Sequence, residues 1–223
     1  MNAFSDETLV SAYVKNAERM VPGLHDLPKM AVALLAERVP VDAHILVLGA
    51  GGGLELKVFA EAQAGWTFNG VDPSAEMLAL ARRTLGHLAS TVNWHEGYID
   101  TASTALCDGA TCLLTLHFLT RCERLETLKQ IHRRLKRGAP LIVIHHSIPK
   151  AAPDQDKWLQ RNAAFAIASG MPSAQAGNIL ALKDRLPMLS PEQDVDLLRE
   201  AGFADIELFY CAFTFKGWVA YAA

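Results

Sequence analysis

The sequence has no apolar run long enough to cross a bilayer, and its start, "MNAFSDETLVSAYVKNAERM", places acids where a secretory leader would need an unbroken apolar core. Neither a membrane-bound nor a cleaved protein is expected, and the location implied is cytoplasmic. Neither sign of charge dominates: 21 Lys and Arg stand against 24 Asp and Glu, so the formal charge of −3 offers no broad attraction to nucleic acid. Four cysteines, Cys107, Cys112, Cys122 and Cys211, form no C-x-x-C pair, which argues against both a zinc site and a disulfide framework. Reduced, buried thiols and no metal are the expectation. Internal repeats and low-complexity tracts are also missing.

What is present suits a single folded unit. The chain has 223 residues, 51% of them hydrophobic and 20% charged, enough for one well-buried core and too few for two full domains. "ETLVSAYVKNAERMVPG" and "LHDLPKMAVALLAERV" space their apolar residues as helices do, so two helices occupy residues 1–43. Strands and helices then alternate through 44–147. Ile45–Leu48 reads as a buried strand, Leu54–Ala64 as a helix, "WTFNGVD" as a strand and "SAEMLALARRTLG" as a helix closed by Gly86. "TVNWHEG" and "GATCLLTL" are strands, "RLETLKQIHRRLKRG" a helix, and "PLIVIHHS" a fifth strand. Such alternation means an α/β fold: a doubly wound, Rossmann-like, mainly parallel sheet with helices on both faces. The basic cluster "HRRLKRG" falls where a helix ends, where cations complement its dipole.

Residues 148–190 break the pattern with Pro and Gly and contain a helical piece around Trp158–Ala168, as a lid over the sheet's carboxyl edge would. Regular structure resumes in 191–223. Ser190, Pro191 and Gln193 make a capping-box start, and "DIELFYCAFTFKGWVAYAA" holds two strand-like runs joined too closely to be anything but antiparallel.

"VLGAGGGLE", residues 47–55, is the stretch that carries chemistry. A strand followed by glycines lets a ligand lie on bare backbone, and three cofactor classes compete for it. A dinucleotide fingerprint would need a third glycine at Leu54, and Glu55 would confront a diphosphate with negative charge. A phosphate-gripping Walker loop fails because Lys57 lacks its preceding glycine and its following Ser or Thr. The spacing that holds is G-x-G-x-G, at Gly49, Gly51 and Gly53, with Ala50 between. At the end of the next strand, 23 positions beyond Gly49, Asp72 is placed to accept hydrogen bonds from ribose hydroxyls, a feature that dinucleotides and S-adenosylmethionine share. A ligand-free tight turn is the plain alternative.

The ordered runs "VLGAGGGLE", "VDPSAEMLALAR", "NWHEGYID", "LLTLHFL" and "LKRGAPLIVIHHS" resemble the motifs of class I S-adenosylmethionine-dependent methyltransferases, along nearly the whole chain. "ERMVPGLHDLPKMAVALLAERV" and "REAGFADIELFYCAFTFKGWVAYAA" resemble the branch containing the carboxy-S-adenosylmethionine synthases of tRNA wobble-uridine modification. The resemblance implies a seven-stranded sheet with its last strand antiparallel, and S-adenosylmethionine as cofactor with S-adenosylhomocysteine as product. It implies that Gly49, Ala50, Gly51 and Gly53 line the cofactor, that Asp72 holds the ribose, and that Pro73, Met77, Gly97, Tyr98 and Ile99 border the adenine. Thr115 and His117 would lie near the methionine part, and Tyr13 and Arg19 on a closing first helix. His117 is the catalytic candidate where the acceptor carries a proton to be removed, ahead of His145 and His146.

Three positions depart from the family pattern. Val47 stands where an acid usually holds the cofactor's amino group, Tyr98 stands where an acid usually meets the adenine, and Ala181 falls where the carboxy-cofactor branch is expected to have an arginine, with Lys183 and Arg185 nearby. The expected protein is a methyltransferase acting on a small-molecule acceptor under the 148–190 segment, with a homodimer open to it. A carboxy-cofactor synthase, a nicotinamide-dependent oxidoreductase and a non-catalytic relative are the alternatives.

Overall fold

The structure is a computed structural model and describes residues 15–223. Residues 15–20 are helical, and α1, Leu27–Ala36, follows with Pro28 in its first turn, where a missing N–H costs nothing. The sheet is built from β1 (His44–Leu48), β2 (Thr67–Asp72), β3 (Val92–Glu96), β4 (Gly109–Leu113), β5 (Pro140–His146), β6 (Phe203–Ala212) and β7 (Phe215–Ala222). Its order is β3-β2-β1-β4-β5-β7-β6, with β7 antiparallel to both neighbours and the pairs among β1 to β5 parallel. The expected α/β architecture, including the reversed last strand, is therefore the observed one.

Helices α2 (Leu54–Ala62), α3 (Ala75–Leu85), α4 (Arg121–His132) and α8 (Pro191–Glu200) cover the sheet. Strand β1 shows why both faces need cover. Ile45 and Val47 enter one apolar cluster with Leu56 and Phe59 of α2, while Leu46 and Leu48 enter another with Leu128 of α4, Leu197 of α8 and Trp218. Alternate residues of a strand point to opposite faces, so a strand apolar throughout can only lie in the middle layer.

Two boundaries differ from expectation. Helix α4 begins earlier, because Thr120 and Glu123 form a reciprocal capping box, and it ends at His132 rather than Gly138. Its basic tail does more than neutralise a dipole. Arg134 is buried, and its guanidinium donates to the carbonyls of Gln130, Ala102 and Ser103 at 3.0, 3.0 and 2.9 Å, tying the helix end to the loop that follows β3. The thiols also divide: Cys107 and Cys112 are buried, but Cys122 and Cys211 are exposed, against the expectation of burial for all.

Between Ser147 and Ser190 the chain forms α5 (Ala152–Ala168), which contains the helical piece expected around Trp158–Ala168, and then α6 (Ser173–Leu180) and α7 (Leu182–Arg185). Ile148, Leu159, Ala163, Ala166, Met171, Ala176 and Ile179 make an apolar cluster of their own, against which Met20 packs. No described helix is long and apolar enough to cross a membrane.

Candidate functional site

Strand β1 ends at Leu48 and the chain turns through five residues into α2. Gly49, Gly52 and Gly53 have φ of +81°, +80° and +72°, values that strain any residue with a Cβ. The turn hangs from β2: the amides of Gly49 and Ala50 both donate to the Val71 carbonyl, at 2.9 and 3.1 Å. The glycines do different work. A Cβ at Gly53 would come 2.8 Å from Ala81 Cα, so this residue lets α2 close on α3. That is the packing duty a dinucleotide fold assigns to its third glycine, met here at position 53, while Leu54 is 40% exposed. The space beside Gly49 is taken by the Thr115 side chain. Gly51 and Gly52 remain as the backbone next to the strand-end carboxylate.

Asp72 faces that backbone. Its Oδ2 accepts from the Gly51 amide at 3.0 Å and its Oδ1 from the Ser74 amide at 2.9 Å, which fixes the carboxylate beside the loop and leaves each oxygen a further lone pair. Burial raises its pKa above the usual carboxylate value, opposed by the Ser74 and Gly51 amides. A carboxylate held in this way can accept two hydroxyl donors without moving.

The residues expected to border an adenine lie on α3 and on the segments that follow β2 and β3. Met77 and Ile99 are buried, Pro73 is exposed, and the Gly97 amide donates to the Asp72 carbonyl at 3.0 Å, joining the ends of β2 and β3. Tyr98 is 68% exposed, an aromatic ring in solvent on the loop that follows β3. The loop carrying it makes a single turn, Ile99–Thr101, and then meets the Arg134 anchor.

At the end of β4, Leu114 takes φ of +57°, an uncommon conformation for an apolar residue, and its amide donates to the Ile144 carbonyl at 2.6 Å. This bend sends Thr115 back against Gly49. His117 follows, buried, with Nδ1 accepting from the His146 amide at 3.4 Å and its ring 4.9 Å from that of His146. Burial, with His146, His145 and Arg124 adding to it, drives the His117 pKa well below the ordinary histidine value, so the ring is neutral and a weak base. His146 hydrogen-bonds Thr214 Oγ1 at 2.9 Å and stacks on Phe215, and its pKa falls to about 3 through burial first and then His145 and Lys216. His145 turns to the opposite face, 3.2 Å from Asp194. Packing thus occupies all three histidines.

A further carboxylate lies at this edge. Glu55, in the first turn of α2, reaches the sheet and accepts a 2.9 Å hydrogen bond from Thr111 Oγ1 on β4. Burial pushes its pKa up to about 8, against the opposing pull of that hydrogen bond. No spacing rule reveals the contact, since its partners lie 56 positions apart.

Residues of the 148–190 segment separate. Met171 lines a cavity of about 360 Å³ together with Asn16, Met20, Asn178, Ile179 and Arg185, whereas Phe165 packs on Phe213 and Trp158 carries Arg161 over its ring. None of the glycine-loop residues lines that cavity. Arg19 lies in the 15–20 helix and is partly buried; Tyr13 lies outside the described residues. Ala181 sits between α6 and α7, Lys183 is paired with Asp156 at 2.5 Å, and Arg185 is exposed. Among the described residues no three His, Cys, Asp or Glu side chains converge as a metal site would require.

Residues 45–138 match a family described as a methyltransferase domain. The putative O-methyltransferase of Nostoc punctiforme is similar in fold, with a TM-score of 0.71 and 18% identity, covering 99% of this chain and 62% of that one. This chain therefore spans less than two thirds of that protein. The magnesium protoporphyrin IX methyltransferase of Synechocystis, solved with bound S-adenosylhomocysteine, gives a TM-score of 0.68 at 15% identity and covers 97% and 95% of the two chains. Strand order and reversed last strand give the chain the fold of these methyltransferase structures. The chain is also similar to the carboxy-S-adenosyl-L-methionine synthase of Campylobacter jejuni subsp. doylei, 24% identical over 217 residues that cover 97% of this chain and 92% of the relative.

Proposed function

We propose that the protein is an S-adenosylmethionine-dependent methyltransferase acting on a small-molecule acceptor. The observation that carries the reading is the Asp72 carboxylate, fixed by the Gly51 and Ser74 amides beside a glycine-rich turn. The donor set suits an adenosyl group: anchored oxygens for two ribose hydroxyls, Met77 and Ile99 as apolar walls, and the Tyr98 ring free to cover a base. Bound there, S-adenosylmethionine supplies a methyl on a sulfonium whose leaving group is a neutral thioether, so orientation and exclusion of water are what the protein must add. The α5–α7 segment fits the second task. His117, buried and a weak base, is a poor general base for an acceptor's proton, which favours acceptors that ionise without help.

Calorimetry with S-adenosylhomocysteine and with NAD tests the reading. Heat with the first and none with the second is expected; heat with NAD alone would transfer the turn to an oxidoreductase, and heat with neither would leave a non-catalytic relative. The same reading places the protein in the cytoplasm, in keeping with its buried free thiols Cys107 and Cys112.

A second reading is favoured by the similarity to carboxy-S-adenosyl-L-methionine synthases over 97% of the chain. Lys183 already faces Asp156, so Arg185, at the cavity wall, is the cation left for an extra carboxylate. Native mass spectrometry of freshly purified protein decides between the two: a retained ligand heavier than S-adenosylmethionine by a carboxyl group, lost in Arg185→Ala, supports the synthase. The same spectrum reports a homodimer, for which the edge strand β6 with exposed Leu208 offers the pairing surface.

A further inference from the structure

We propose that Glu55 supplies, from the first turn of α2, the carboxylate for the cofactor's amino group that strand position 47 does not provide; the inference rests on the adenosyl-cofactor reading above. Val47 and Thr111 are direct partners in the parallel β1–β4 ladder, so their side chains leave the same face of the sheet side by side. Glu55 hydrogen-bonds Thr111. Its carboxylate therefore sits over the spot that an acid at position 47 would fill, between the carboxyl ends of β1 and β4, where the doubly wound sheet changes direction and ligands bind.

The electrostatics agree with that geometry. Among the described residues, burial and Thr111 are all that act on Glu55, and no Lys, Arg or His stands close enough to balance its charge. The ionisable group beside it on β4 is Cys112, whose thiol burial, and then Glu55 itself, keep neutral. An acid drawn out of water without a cation destabilises the protein unless something compensates. A ligand ammonium is such a compensating group. The carboxylate then comes from the helix instead of the strand.

Two ligands separate this role from cofactor binding in general. S-adenosylhomocysteine carries the amino acid part, and 5′-methylthioadenosine lacks it. Glu55→Gln keeps the shape and the Thr111 contact but cannot ionise. By calorimetry the variant is expected to lose about tenfold to a hundredfold in affinity for S-adenosylhomocysteine, the worth of a charge-assisted hydrogen bond, and to hold 5′-methylthioadenosine as the parent does. A folded variant that loses both ligands equally, or neither, overturns the role of Glu55 and leaves the cofactor reading intact. If the parent protein binds neither ligand, both fall together. A measurement without any variant guards against misfolding. At pH 7 the parent should release a proton on binding S-adenosylhomocysteine and none on binding 5′-methylthioadenosine, read as a dependence of the heat on buffer ionisation; equal proton release for the two ligands overturns the proposal.

Discussion

Arg124 Nη1 lies 2.5 Å from Asp194 Oδ1, with each side chain only 1% exposed, so α4 and α8 are joined by an ion pair inside the protein. Arg124 also donates to the Pro187 carbonyl at 3.2 Å, and His145 on β5 approaches the same Asp194 oxygen at 3.2 Å. Three elements and the end of the α5–α7 segment meet at one buried charge pair. Removing one partner leaves the other uncompensated, and Asp194→Asn should cost about 3–5 kcal/mol in chemical denaturation. A loss under about 1 kcal/mol would show that water reaches the pair.

The same cluster sets an acid limit. Burial raises the Asp194 pKa, but His145 and Arg124 outweigh it and the net shift is downward. A depressed carboxylate stabilises the fold above its unfolded value of about 3.8 and loses that contribution as pH falls through its lower folded value. The melting temperature of the parent should drop below pH 4 more steeply than that of Asp194→Asn; parallel curves would assign the acid sensitivity to other groups.

Glu55 gives the opposite slope. Its folded pKa of about 8 lies above the ordinary 4.5, so the native state holds the proton more tightly and stability declines as pH rises through that window. The decline cannot exceed about 1.4 kcal/mol per pH unit from one group. Melting curves between pH 5 and 8 should flatten in Glu55→Gln, and saturating S-adenosylhomocysteine, but not 5′-methylthioadenosine, should flatten them in the parent.

Gly51→Ala and Gly49→Ala should separate binding from folding. A Cβ at 51 would lie 2.7 Å from Asp72 Oδ2 and 2.9 Å from Met77 Cβ without demanding a left-handed φ, so affinity for S-adenosylhomocysteine should fall about tenfold or more, with a smaller loss of stability than at Gly49. At Gly49 the added carbon meets Thr115 at a φ of +81°, and the loss should appear in stability, on the order of 1–3 kcal/mol. Paired melting and calorimetry on both variants read the two effects; a reversed pattern would relocate the ligand to the Gly49 side.

Arg134→Met should loosen the loop that carries Tyr98 without unfolding the sheet. It removes the donors to Ala102 and Ser103 while keeping much of the buried stem. Hydrogen exchange should quicken at residues 98–103 and stay unchanged in β1, β4 and β5. Protection unchanged at 98–103 would show that the turn holds itself.

The central strands were legible in the sequence because a strand covered on both faces must be apolar at every position, as Ile142, Val143 and Ile144 are. The start of α8 was legible for a local reason too, since Ser190 and Gln193 satisfy each other's backbone within one turn. The site was legible in part. Glycine spacing located the turn, but the separate duties of Gly49, Gly51 and Gly53 depend on what stands opposite, which spacing does not record. Glu55 with Thr111 and Arg124 with Asp194 span 56 and 70 positions, so their chemistry arises only when the chain closes. The end of α4 was placed late for the same reason: Arg134 turns inward to carbonyls 31 and 32 residues before it.

The α5–α7 segment keeps a small apolar interior of its own, while its end is held to the core by Arg124 through the Pro187 carbonyl. The turn and Asp72 answer to a different set of neighbours. Substitutions inside that interior can therefore be made without touching a residue that fixes the Asp72 carboxylate.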